Sequence, residues 1–266
     1  MAAYAWLSPV SLWPPRGSFL IALAITAAFA LVGWLTRGVN LSGAVAGFAI
    51  ALVLAARDLG LFWILLVVFA VTLIATRTRS SFKRDLRAST ERALQAAAAS
   101  NASPDDRAYR LVARDDGRGR SASQVMANLG VAALIIVVPS RLSVFLALAA
   151  LAEAAADTCS SELGMAYPGK TVLITTWKPV LPGTDGGITY AGSAAAVLAA
   201  AAVAGSARAL GLVSTHFAVA IMFAGFFGSL FDSLFGALLE RRGWLNNDAV
   251  NLLGTATAVG LAWVLG

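Results

Sequence analysis

Apolar residues along this chain come in long blocks, with most polar residues gathered between them. A helix that crosses a bilayer needs about 20 mainly apolar residues. Eight windows of that kind run from Ser18 to Thr36, Val39 to Ala56, Leu59 to Thr76, Ser123 to Val138, Leu142 to Ser160, Ile188 to Ser206, Thr215 to Glu240 and Asp248 to Gly266. Little more than Arg37 and Gly38 separates the first two. The longest polar stretch, 77–120, lies between the third and fourth windows. The pattern predicts an all-α polytopic transmembrane bundle of about eight spans: a single integral membrane domain over 1–266 with one basic loop inserted at 77–120.

Composition agrees with the pattern. The chain is 59% hydrophobic and 13% charged, with a mean hydropathy of +0.77, against about 25% charged in soluble domains. Of its 34 charged residues, 17 lie between Arg77 and Arg120. The N-terminal "MAAYAWLSPVSLWPPRGS" lacks the basic region of a secretory signal, and its Trp and Pro residues suit an interfacial lead-in that stays on the mature protein. With one cysteine, Cys159, and one histidine, His216, the chain alone builds neither a disulfide nor a Cys/His zinc site, so any metal must rest on oxygen ligands.

Lysine and arginine counts orient the spans. One side collects 16, namely Arg37, eleven in the long loop, Lys170, Lys178, Arg241 and Arg242, and the other only Arg16, Arg57, Arg141 and Arg208. The long loop should therefore be cytosolic and both termini outside. Within that loop, "SPDDRAYRLVAR" reads as a helix capped by Ser103. A solvated positive-inside loop explains its charge. Docking on anionic lipid, as in a lipid-binding scaffold, is the alternative, and the absence of interleaved aromatics speaks against nucleic acid.

Charges inside a bilayer are costly and usually mark function. Outside the loop, Glu153, Asp157, Glu162, Asp185, Asp232, Glu240 and Asp248 all fall at the cytosolic ends of spans or on cytosolic connections. Glu153 and Asp157 share a helix face with Ser160, Ser161 and Gly164. Gly225, Gly228, Ser229, Asp232, Ser233 and Gly236 form a small, polar face on the seventh span, and Asn247, Asn251, Gly254, Thr255 and Ala258 do so on the eighth. The glycines and serines equally suit close helix packing, whose unused faces leave room for a homodimer. The acids point to a site. His216 reads as interfacial.

"GMAYPGKT", Gly164 to Thr171, satisfies the P-loop spacing, but a P-loop needs a strand before its glycines and a helix after. Here a membrane helix precedes and a proline- and glycine-broken segment follows. What survives is a loop of donors, Lys170, Thr171, Thr175, Thr176 and Lys178, beside carboxylates suited to Mg²⁺. A transporter would also carry acids on small-residue faces as a proton or cation path, though it has no evident need of those paired lysines.

The motifs "SGAVAGF", "SASQVMANLG", "EAAADTCSSELG", "GKTVLITTWKPVLPGTDGGITYAGS", "GSLFDSLFGALLE" and "NNDAVNLLGTATA" resemble, in order and over nearly the whole chain, the DUF92 or TMEM19-like membrane family. That family includes the plant phytyl-phosphate kinase and is more distantly similar to dolichol kinase and CDP-diacylglycerol synthase. The resemblance implies transfer of a phosphoryl group from CTP to a prenyl monophosphate such as phytyl or geranylgeranyl phosphate. By the matching positions, Asp157, Asp232 and Lys178 would be catalytic. Asp157, Glu162 and Asp232 would hold Mg²⁺, and Lys170, Thr175, Thr176, Asp185, Asn128, Ser161, Asn247 and Asn251 would bind the nucleotide and phosphates. The long basic insert before "SASQVMANLG" departs from a minimal member and brings contact with a partner or the lipid surface into consideration.

Overall fold

A computed structural model describes residues 16–99, 119–138 and 140–266. The expected interfacial lead-in and the helix expected at Ser103 lie outside the described residues. Among those described, nine α-helices form: α1 (Arg16–Leu35), α2 (Leu41–Arg57), α3 (Leu59–Arg77), α4 (Ser80–Ala99), α5 (Ala122–Val137), α6 (Ser143–Ala166), α7 (Tyr190–Ala209), α8 (Thr215–Phe235) and α9 (Asn247–Leu265). A π-helical turn, Gly236–Glu240, extends α8. Five of these, α3, α6, α7, α9 and α8 with its extension, are long and apolar enough to cross a membrane, while α1, α2 and α5 are apolar over shorter lengths.

Polar caps set the boundaries. Asn40 Oδ1 accepts from Gly43 N at 2.9 Å and opens α2, and Asp58 Oδ1 accepts from Gly60 N at 2.7 Å and opens α3 immediately after it. Ser121 and Gln124 close a capping box on α5, which supplies two otherwise unpaired backbone donors with acceptors. The turn between α1 and α2 places Arg37 at φ 58°.

The alanine-rich α6 is the core helix, with Ala147, Leu148, Ala149, Ala150, Leu151 and Ala152 all fully buried. Lipid gives helices no hydrophobic reason to associate, so close backbone approach must supply the attraction. A Cβ on Gly225 of α8 would stand 2.8 Å from Ala152 Cβ, and one on Gly192 of α7 would stand 2.8 Å from Ser160 O.

Between α6 and α7 the chain makes a small ribbon, β1 (Val172–Leu173) paired antiparallel with β2 (Gly187–Ile188). Its Gly186 has φ 75°, and a Cβ there would lie 2.4 Å from Ala237 Cβ. Glycine is required at 186 twice over, and the ribbon is thereby locked onto the π-helical turn.

Candidate functional site

Every candidate residue from the sequence lies at one end of the bundle, where α1, α3, α6 and α8 finish and α2, α5, α7 and α9 begin. Two hydrogen bonds between residues distant in the chain tie this end together: Arg77 Nη2 donates to Thr36 O at 2.7 Å, and Arg79 Nη1 donates to Ala166 O at 2.8 Å. Residues 119–120 return across it. Arg120 N donates to Gly38 O at 3.1 Å, and Asn40 N donates to Arg120 O at 3.0 Å.

Three helices meet through asparagines. With its amide turned to satisfy its neighbours, Asn251 of α9 donates to Asp232 Oδ2 of α8 at 3.3 Å and accepts from Asn128 Nδ2 of α5 at 3.2 Å. Asn128 Nδ2 also lies 2.8 Å from Gln124 O. Behind this chain Glu153 of α6 is 1% exposed, its Oε1 meets no hydrogen-bond partner, and Asp157 and Asp232 are its charged neighbours. Gly254 makes room for the acids, since a Cβ there would stand 2.6 Å from Glu153 Oε1 and 3.0 Å from Asp232 Oδ2.

A cavity of about 540 Å³ opens beside these residues. Each wall runs from apolar to polar toward the same end: Leu65, Val68 and Phe69 give way to Thr76 and Arg77 on α3, Leu129 to Asn128 and Gln124 on α5, and Ala154 to Asp157, Thr158 and Glu162 on α6. Asn247 and Asn251 complete the polar end. Six basic residues border the cavity, Arg37, Arg77, Lys83, Arg84, Arg87 and Arg120, against two acids, Asp157 and Glu162. The lining is net cationic, which suits an anionic ligand.

Part of that charge is already committed. Lys83 Nζ donates to Glu162 Oε2, to Thr76 O at 2.8 Å and to Ala75 O at 3.1 Å, so it clamps α4 to the last carbonyls of α3 and to α6. Arg87 Nη2 stands 3.9 Å from Glu162 Oε1, and Arg120 Nη2 donates to Thr158 Oγ1 at 3.3 Å.

Of the residues selected from the sequence, Asn128, Asp157, Glu162, Asn247 and Asn251 border the cavity. Asp232 is linked to it through Asn251. Ser161 is half-buried and not in the lining. Lys170, Thr175, Thr176 and Lys178 are exposed on the ribbon segment and are not in the lining either. Asp185 is half-buried on that segment, near Gly236. The P-loop match is broken as expected, because Gly164 lies within the last turn of α6 and a two-residue strand follows Thr171.

Among the described residues, no three His, Cys, Asp or Glu side chains are placed to hold a metal by themselves. Asp157, Glu162 and Asp232 therefore do not make a protein-only metal centre, and Glu162 is occupied by Lys83 and Arg87. Mg²⁺ commonly takes one or two carboxylates and completes its shell with phosphates and water. Asp157 and Asp232, both neighbours of Glu153, are carboxylates of the kind such a shell takes.

What sequence reasoning assigned to topology, Lys83, Arg84, Arg87 and Arg120, is the cavity's cationic wall. The signal was present: Lys83, Arg87 and Thr90 recur at four and three residues, one face of a helix, and Lys83 and Thr90 are buried.

The chain is similar to an uncharacterized membrane protein of Methanocaldococcus jannaschii, 44% identical over 41% of this chain and 45% of that protein. It is similar to Protein VTE6, chloroplastic, of Arabidopsis thaliana, 37% identical over 36% of this chain and 30% of that one. Protein PGR of the same plant is 26% identical over 86% of this chain and 82% of its own length. The first two matches thus span less than half the relative's length. No solved structure matches. The family model of the integral membrane protein DUF92 matches residues 24–259, and the chain belongs to that family.

Proposed function

We propose that this protein is a CTP-dependent prenyl-phosphate kinase working at the cytosolic face of the membrane. One observation carries the reading: a single cavity joins a cationic, carboxylate-bearing end to an apolar interior. A prenyl monophosphate has the same division, and the resemblance of the sequence motifs to the family that includes the phytyl-phosphate kinase supplies the reaction.

In that reaction an oxygen of the prenyl phosphate attacks the γ-phosphorus of CTP. The bond from that phosphorus to the β–γ bridging oxygen breaks, and CDP leaves with the negative charge. The attacking oxygen is already anionic, so no strong base is needed. Phosphoryl transfer asks a protein mainly for in-line positioning and charge neutralisation. Arg84, Arg87 and Arg120 border the cavity where the phosphates would lie. Asn128 and Asn251 orient Asp232, and Asn247 adds a polar group at the rim. Asp157 and Asp232 would hold Mg²⁺, which when bound would supply charge neutralisation for the phosphates. Lys170, Lys178, Thr175 and Thr176, outside the cavity, are left to any part of the nucleotide that projects from it.

The test is a turnover assay on detergent-purified protein with γ-labelled CTP, Mg²⁺ and geranylgeranyl or phytyl phosphate. Labelled prenyl diphosphate with equimolar CDP is the expected product. Absence of transfer from any nucleoside triphosphate, together with proton or cation flux in proteoliposomes, would replace this reading with the transporter one.

A further inference from the structure

α2 presents Gly43, Ala44 and Gly47 to the cavity, the spacing of one helix face, and Val39, just before its cap, adds to the same wall. Its two glycines differ in their surroundings. A Cβ on Gly43 would stand 2.1 Å from the Arg120 carbonyl oxygen, so backbone packing dictates glycine there. A Cβ on Gly47 would meet nothing within 4 Å, although the residue is half-buried. Gly205 and Gly260 are as open, but they are exposed on the outside of the bundle and border no part of the cavity. Glycine is unfavourable in a helix interior, and at 47 no neighbouring protein atom calls for it.

Position 47 lies seven residues beyond the Asn40 cap, roughly 10 Å deeper at the rise of an α-helix. The other walls contribute Ala30, Leu65, Val68, Phe69 and Leu129. A charged group would be costly there, and an apolar chain is at home. With its anionic head held by the cationic end, a ligand would direct its remaining length to this wall.

We propose that Gly47 lines the groove for the isoprenoid chain, and that its missing side chain sets the chain length accepted. This rests on the reading of the cavity as a prenyl-phosphate site. The test is a binding competition without nucleotide: full-length protein in detergent carries a fluorescent geranylgeranyl phosphate, displaced by unlabelled geranyl, farnesyl or geranylgeranyl phosphate. Gly47→Leu should lower the preference for geranylgeranyl over geranyl phosphate at least about tenfold, the scale on which apolar pockets separate ligands differing by a methylene or more. Gly47→Ala should shift it the same way by about threefold, so the comparison survives a leucine variant that does not fold. Gly260→Leu should leave the preference unchanged. An unshifted preference at position 47, an equal loss for all chain lengths, or no binding of any prenyl phosphate by wild type would overturn the proposal. Length-selective binding without CTP turnover would instead remove the kinase reading and keep the groove.

Discussion

Lys83 of α4 and Glu162 of α6 form a buried ion pair, with only 3% and 8% of their side chains exposed. Separated by 79 positions in the chain, they join the strongly polar helix α4 to the core helix of the bundle. Removing one partner from a buried pair strands the other charge and typically costs about 3–5 kcal/mol, whereas an apolar replacement of both is often tolerated. Lys83→Met and Glu162→Leu should each lower the detergent melting temperature substantially, and the double variant should recover most of the loss. A double variant as unstable as the sum of the singles would show that the two do not act as a pair.

The eight apolar windows coincide with eight helices because periodic burial is written in composition. The window Leu59 to Thr76 became Leu59–Arg77, and Asp248 to Gly266 became Asn247–Leu265. The fifth ran on to Ala166, since Ser160 to Gly164, too polar to count as a span, are covered by α7 and α4 rather than by lipid. The polar lining of the cavity was legible where an acid or amide sits in an apolar helix, as with Asp157 and Asn251. It was not legible in α4, because Lys83 and Arg87 look like any solvated positive-inside charge until a docking partner is known. Lys170 and Lys178 show the complementary case: they are near Asp157 and Glu162 in the chain, yet they are exposed on the ribbon segment and do not line the cavity.

That contrast separates two sets of cations. Losing a charge-assisted hydrogen bond to a phosphate costs about 1.5–3 kcal/mol, so Arg87→Ala and Arg120→Ala should each lower kcat/KM for prenyl phosphate by roughly 10- to 100-fold. Lys178→Ala, exposed on the ribbon, should change it by less than about threefold. The reverse ordering in steady-state kinetics would return the phosphates to the ribbon.

The asparagine chain gives a second kinetic signature. Asp157→Asn and Asp232→Asn keep side-chain volume and remove the charge, and each should reduce kcat by at least about 10²-fold, as loss of a preorganised electrostatic group does. Asn251→Ala should act through Asp232, raising the Mg²⁺ concentration for half-maximal rate by roughly 10-fold, the scale of an outer-shell effect. A magnesium titration unchanged in Asn251→Ala would dissociate the asparagine from the metal, and full activity in both aspartate variants would remove the site assignment.

Orientation can be checked independently of activity. In a Cys159→Ser background, an impermeant thiol reagent should reach Lys178→Cys only from the cytosolic side and His216→Cys only from outside, as the lysine and arginine asymmetry requires. Both positions are exposed. Labelling of both from one side would invalidate the topology, and with it the access of cytosolic CTP to the cavity.

The packing glycines yield the last expectation, which concerns stability and separates helix contact from cavity lining. At Gly228 a Cβ would stand 2.7 Å from Glu153 Cγ and 2.8 Å from Ala258 Cβ, and at Gly43 it would meet a backbone carbonyl oxygen at 2.1 Å. Overpacking of this kind costs about 1–3 kcal/mol, with the upper end expected where the obstacle is backbone and cannot rotate away. Gly43→Ala should therefore destabilise at least as much as Gly228→Ala in thermal or denaturant unfolding. Gly47→Ala meets no atom, removes the entropy cost of glycine in a helix, and should stabilise by up to about 1 kcal/mol. A destabilised Gly47→Ala would mean that the space beside it is closed, and the α2 wall of the cavity would have to be redrawn.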